Sequence, residues 1–198
     1  MLHFKNGIYQ ETPLVLKPSM KNTGKIFVLK NGCEILVREI RKEDRLLFLT
    51  GFKSLSSESL YHRFNSSSFR LTDKYLDYFT VVDSNSHCAL GALDLSKENQ
   101  PGIAVGRFIR LQQEPDYAEL AITVLDEYQR LGIGTILFLE LCRVAQSKNI
   151  QFFTFSIHAK RRGLFQFLMQ KGAVFKSRMG PQIELSFPLS EVGVTRKR

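Results

Sequence analysis

Glu119 is the carboxylate in this chain best placed to do chemistry, because every residue from Ala118 to Leu125 other than Glu119 and Thr123 is apolar. Such a run predicts a strand with little water around it, where an ionised side chain is costly unless it is paired or used. Alternation along the strand puts Tyr117, Glu119, Ala121 and Thr123 on one face, which is either a solvent side or the wall of a cleft. In a cleft Glu119 is a candidate general base; the competing reading is an edge-strand glutamate paired with Arg107 or Arg110. Asp116, Asp126 and Glu127 fall at strand ends and read as turn residues.

The strand runs into Gln129-Arg130-Leu131-Gly132-Ile133-Gly134-Thr135, a glycine turn that opens an amphipathic helix. Gly132 and Gly134 remove side chains that would hold a ligand off the backbone, and the first N–H groups of the helix have no partner inside it. That combination suits a phosphate. No Lys-Ser/Thr follows the glycines, as a nucleotide P-loop requires, and there is no third glycine of a dinucleotide fingerprint. A pyrophosphate ligand of another kind is implied, against the alternative that such a turn exists with no ligand at all.

At Gln129, Gly132 and Gly134 the chain resembles the GNAT acetyltransferase superfamily, whose acetyl-CoA motif is Gln/Arg-x-x-Gly-x-Gly/Ala. The resemblance covers residues 34 to 188. Within the superfamily, the run Leu55-Ser56-Ser57-Glu58-Ser59-Leu60-Tyr61-His62-Arg63-Phe64 and the pair Ala118-Glu119 are similar to the bacterial protein-lysine acetyltransferase branch. What the resemblance implies is an N-acetyltransferase that moves an acetyl group from acetyl-CoA to a primary amine, with a protein lysine as the first choice of acceptor. A small-molecule amine, and a non-catalytic CoA-binding or adaptor module, are the alternatives.

The resemblance also assigns roles. Glu119 becomes the general base in a cleft whose partial desolvation lifts its pKa toward neutrality, so that it can take a proton from an ammonium with an ordinary pKa near ~10.4. The pyrophosphate falls to the backbone of Gln129, Arg130, Leu131, Gly132, Ile133, Gly134 and Thr135, and the pantetheine arm to Ile122, Thr123 and Val124. With Gly172 as the anchor, Arg161 and Leu168 stand where many relatives carry an Asn that contacts the cofactor and a Tyr that protonates the leaving thiolate. No side-chain acid is therefore visible, and Arg161 is assigned to a phosphate instead. His158 lies within reach but reads as a loop histidine.

Composition sets the frame for these residues. The chain has 198 residues, 43% of them hydrophobic, enough for one domain with a core. No stretch approaches the ~20 apolar residues of a membrane span, and Met1-Leu2-His3-Phe4-Lys5-Asn6 lacks the apolar segment of a signal peptide, so no membrane association and a cytoplasmic location are expected. Cys33, Cys88 and Cys142 are too far apart for a metal site and read as free thiols, so no metal is expected. The net charge of +9 is uneven: residues 1–142 carry 17 basic and 17 acidic side chains, residues 143–198 carry 11 and 2, and the difference of 9 lies wholly in the second part. Such a field suits a polyphosphate ligand or an acidic protein, against the alternative of a solvated face with a frayed tail; nucleic acid is disfavoured as a partner because no recognition motif accompanies the charge. A monomer or homodimer is expected.

The elements that position the site follow from periodicity. Residues 1–33 read as an N-terminal arm, 34–189 as the acetyltransferase domain and 190–198 as a basic tail. A first strand is predicted over 34–40, then a helix with Leu46, Leu47, Leu49, Phe52 and Leu55 on its apolar side, a short helix after Ser56, and a third over 73–80 capped by Thr72 with Leu71 and Leu76 as a hydrophobic staple. Strands over 87–95, 103–111 and 117–125 with short turns make an antiparallel meander. A helix over 135–148, with Glu140, Arg143 and Ser147 on its polar stripe and Ile136, Leu137, Leu141, Val144 and Ala145 facing inward, leads to a strand over 151–157 and closes a βαβ unit. A helix over 161–171 and strands over 173–178 and 183–187 complete an α+β fold: a mixed, mostly antiparallel central sheet flanked by helices.

Overall fold

A computed structural model describes residues 10–11, 24–64, 66 and 68–192. Strands β1 (Gln10–Glu11), β2 (Gly24–Val28) and β3 (Glu34–Glu39) are followed by helices α1 (Arg45–Lys53), α2 (Ser57–Phe64) and α3 (Asp73–Thr80). Then come β4 (His87–Asp94), β5 (Gly102–Arg110), β6 (Tyr117–Val124), α4 (Ile133–Ser147), β7 (Phe152–His158), α5 (Arg162–Gln170), β8 (Val174–Met179) and β9 (Gln182–Pro188). All strands lie in one sheet in the order β1-β2-β3-β4-β5-β6-β7-β9-β8. Among the described residues only β6 and β7 pair in parallel, as the crossover through α4 demands; every other pair there is antiparallel.

The sheet begins earlier than residue 34. Along its whole length β2 pairs with β3, and Phe27 and Leu29 are buried, so residues 24–33 belong to the folded unit rather than to an arm. The rest of the expected arm, apart from β1, lies outside the described residues, as do residues 193–198 of the expected tail. Residues Leu189–Glu191 form a 3-10 turn, with Leu189 buried.

Helix α4 packs over β4, β5 and β6 and carries the core: Ile136, Leu137, Leu141, Cys142 and Ala145 are all buried. Its seat on β5 is so close that a Cβ on Gly106 would come within 2.7 Å of Leu141 Cδ1. The other face of the sheet is covered by α1, α2 and α3. There Thr72 caps α3 by accepting the Tyr75 amide at 3.4 Å, and Leu76 is buried as the staple predicts. Helices α1 and α2, by contrast, contain no buried residue, and Leu46 is 70% exposed. The expected apolar side of α1 is therefore too broad: Leu46 and Leu49 face solvent, and Leu47, Phe48 and Phe52 line a cavity between helix and sheet.

Among the described residues no helix is long and apolar enough to cross a membrane, and no cluster of three His, Cys, Asp or Glu side chains could hold a metal ion. Burial pushes the Cys88 thiol up to about 11 and the Cys142 thiol higher still, so both stay protonated at neutral pH.

Candidate active site

The parallel ladder between β6 and β7 is short. Tyr117 pairs with Phe152, Ala118 with Phe153 and Glu119 with Thr154, and there the pairing stops. Strand β6 runs on to Val124 and β7 to His158 without bonding to each other, so the sheet opens into a cleft whose vertex is Glu119. The facing edges hold backbone groups that no ladder satisfies, a surface suited to an extended chain bearing amides. Ile122, Thr123 and Val124 lie on the β6 edge of this cleft, all half-buried.

At the open end of β6 stands the glycine turn. Gly132 is the residue before the first turn of α4, with φ +91°, a left-handed conformation that glycine adopts without strain. Among the described residues no side chain caps the start of this helix. Its first intrahelical bonds run from Thr135 N and Ile136 N to Gly132 O, so the amides of Ile133 and Gly134 are left to a ligand or solvent. A Cβ on Gly134 would touch nothing nearer than Val124 at 3.9 Å, so packing does not demand a glycine there; bare backbone at that point lets a phosphate approach the amides closely. Gln129 is more a brace than a ligand, since its Nε2 donates to Val124 O at 3.2 Å and tethers the turn to the end of β6. Arg130, at φ +64°, is exposed, and Arg161 is exposed just past β7, its amide bonded to His158 O at 2.8 Å.

Glu119 lies on the face of the sheet opposite α4, with Ala121 and Thr123 beside it. The ion-pair reading fails among the described residues: Arg107 donates to Tyr78 O and Phe79 O, and Arg110 to Lys148 O, leaving Glu119 with neither. The expected desolvation is not supplied by the protein itself either, because Glu119 is exposed.

Helix α2 roofs the cleft, which the sequence does not show. At its N-terminus Ser56 and Ser59 bond to Asp126: Ser56 N donates to Oδ2 at 2.9 Å, and the Ser56 and Ser59 hydroxyls donate to Oδ1 at 3.0 and 2.7 Å. Burial works to raise the Asp126 carboxyl, but these bonds outweigh it and hold it below the ordinary aspartate value. Asp126 is thus the clamp between α2 and the glycine turn, not an ordinary turn residue. Farther along, Tyr61 and His62 each place a ring 5.6 Å from that of His158 across the cleft. His158 is a buried strand residue rather than a loop histidine; its Nδ1 accepts the Lys160 amide at 3.2 Å, which leaves the ring proton on Nε2. Leu168 packs against the core, so α5 supplies no acid at that position.

Known proteins resemble this chain in sequence and in fold. Residues 49–168 match the model of the acetyltransferase (GNAT) family. Acetyltransferase Pat of Mycolicibacterium smegmatis is 31% identical over 151 residues, 74% of this chain but 43% of that protein, so the chain spans less than half of that relative. The GNAT domain of S. lividans PAT superposes with a TM-score of 0.74 at 26% identity, over 82% of this chain and 95% of that domain. PaiA N-acetyltransferase from Thermoplasma acidophilum, solved in complex with coenzyme A, shares the fold at 16% identity with a TM-score of 0.55, over 78% of this chain and 98% of that one.

Proposed function

The chain belongs to the GNAT acetyltransferase family, and from that premise we propose that it transfers the acetyl group of acetyl-CoA to a primary amine, with a protein lysine as acceptor and Glu119 as general base. The observation that carries this reading is the coincidence of three features: the ladder between β6 and β7 ends at Glu119, the cleft beyond it has unpaired edges, and the glycine turn stands at its mouth. Acetyl-CoA fits them in order. Its pyrophosphate lies on the turn from Gln129 to Thr135, against the amides of Ile133 and Gly134 that the helix leaves unpaired, with Arg130 and Arg161 adding charge from the two rims, and its pantetheine lies along Ile122, Thr123 and Val124. The thioester then falls at the vertex.

At the vertex Glu119 takes a proton from the incoming ammonium. The amine nitrogen bonds to the thioester carbon, the carbon–sulfur bond breaks, the nitrogen gives up its second proton to solvent, and the thiolate, with an ordinary pKa near ~8.5, leaves with its electron pair and takes a proton from solvent. Bound substrates exclude water from Glu119, which supplies the desolvation that the protein alone does not. Lysine as acceptor is supported by the likeness of the α2 segment to the protein-lysine branch and by the identity with Pat.

Glu119→Gln tests the mechanism. Losing a general base lowers kcat by roughly 10²- to 10⁴-fold while leaving acetyl-CoA affinity unchanged, as stopped-time assays of CoA release and calorimetry report. An unaltered kcat removes Glu119 from the mechanism. Activity confined to polyamines, aminoglycosides or amino acids in a panel that includes lysine-bearing proteins overturns the choice of acceptor.

A further inference from the structure

The cavity beneath α1, α2 and α3 has a volume of about 100 Å³ and mostly apolar walls, and its charged lining residues are Arg38, Asp44, Arg63 and Arg107. Arg38 and Asp44 cancel each other in a buried bidentate pair at 2.8 and 2.7 Å. The other two arginines have no carboxylate within ion-pair distance among the described residues. Arg107 is 4% exposed, held by neutral acceptors at the last turn of α3, Tyr78 O at 3.5 Å and Phe79 O at 3.2 Å, with the Phe79 ring 4.7 Å away. His87 Nε2, 3.1 Å from Arg107 Nη1, brings no negative charge. Arg63 is half-buried over the ring of Phe64 at 5.1 Å and makes no hydrogen bond to a described residue. Ala121 and Thr123, on the same face of β6 as Glu119, line the cavity, which sets it beside the base.

Such a cavity has the wrong sign for an ammonium group arriving alone. Two cations in apolar walls repel a third strongly, whereas an anion between them gains charge-assisted hydrogen bonds that Arg63 lacks. We propose that Arg63 and Arg107 form a carboxylate subsite, and that the molecule presenting its amine to Glu119 inserts a carboxylate of its own into this cavity. The inference rests on the proposed reading of Glu119 as the base. It disfavours polyamines and selects acceptors that carry both signs of charge, whether a free amino acid or a lysine with an acidic neighbour in a polypeptide. Burial and the nearby Arg63 draw the Arg107 guanidinium down to about 10, and a bound carboxylate reverses that pull.

The test uses the full chain with CoA bound and acceptor probes of both sources: amino carboxylates from glycine to 6-aminohexanoate, and blocked Glu-Lys dipeptides, each beside its carboxamide counterpart. Calorimetric titration should show the carboxylate of at least one source binding roughly 10- to 100-fold more tightly than its amide. Arg63→Gln should abolish that preference without weakening the amides, and Arg63→Lys should keep part of it. Arg107→Gln is the harsher variant, because it also frees the last turn of α3. Equal binding of acid and amide, or a preference that survives Arg63→Gln, overturns the subsite. Acetyl transfer is followed on the same probes: a carboxylate preference in binding with no transfer to any probe overturns the base mechanism while leaving the subsite, and equal transfer to acids and amides does the reverse. Preference among the amino carboxylates alone identifies a free amino acid; among the dipeptides alone, a polypeptide lysine.

Discussion

The two faces of the sheet are built to opposite specifications. Under α4 the side chains close completely: Leu137, Leu141 and Phe153 are 0% exposed, and Gly106 is required because α4 leaves no room for a Cβ. Charge on that face is neutralised, since the buried Glu140 is held by Lys25 at 2.8 Å and by Arg143. Under α1 to α3 the packing stays open, with a cavity, two of the three helices lacking buried residues, and two arginines without a carboxylate among the described residues. Full closure gives stability; an unfilled, unneutralised face gives a place for a substrate. What keeps the open face in shape is a few polar clamps and a cluster of phenylalanines, Phe48, Phe52, Phe64, Phe69 and Phe79, rather than a closed core.

The strongest clamp is Arg38 with Asp44, which ties β3 to the start of α1, and breaking it should show the largest effect. Removing one partner of a buried ion pair costs about 3–5 kcal/mol, so Asp44→Ala should lose that much in urea unfolding. Burial pushes the Asp44 carboxyl up, but the hydrogen bonds from Arg38 and from the Arg41 amide, with the charges of both arginines, outweigh it and hold it below its ordinary value. The sign follows. A depressed carboxyl contributes stability that is full above the unfolded value of ~3.9 and is lost as pH falls through the lower folded value. Wild type should therefore lose stability below about pH 4 more steeply than Asp44→Ala. Parallel pH profiles would remove the clamp from the account.

The contrast in packing is sharpened by a pair of leucines. Leu141→Ala, in the closed face, should cost about 2–5 kcal/mol, whereas Leu47→Ala, beside an existing cavity, should cost less than ~1.5 kcal/mol because many of its contacts are already missing. Equal losses would mean that the open face is as tightly packed as the other.

The closed face was the more legible in sequence, and the reason is range. Helix α4, the meander and the crossover follow from periods of two and 3.6 residues within each segment, and Glu119 stood out because its immediate neighbours are apolar. What stayed hidden depends on distant partners. Glu140 reads as a polar-stripe residue until β2 brings Lys25 over it from 115 positions away, and Asp126 reads as a turn residue because Ser56 is 70 positions distant. Leu46 and Leu49 look like core only if α1 is assumed to touch the sheet along its whole length. The cleft itself is a failure of pairing after Glu119, and no residue pattern within β6 announces where a ladder stops.

Asp126 offers the smallest effect and the closest test of how the open face is joined to the cofactor turn. Its carboxylate holds the first turn of α2 through three bonds while sitting two residues past the end of β6, on the way to Gln129. An acidic group at a helix N-terminus contributes roughly 0.5–2 kcal/mol when it caps, and Asp126 is exposed, so Asp126→Ala should lose only about 1 kcal/mol of global stability. Locally the change is larger. With the clamp gone, α2 loses its register on the turn, and with it the placement of Tyr61 and His62 over the cleft and of Arg63 in the cavity. Amides of α2 should exchange with deuterium at least ~10-fold faster while those of α4 keep their protection, and KM for the acceptor should rise more than KM for acetyl-CoA. If α2 exchanges as slowly as in wild type, its position is set by Phe64 and Phe52 packing instead, and the open face has a core of its own.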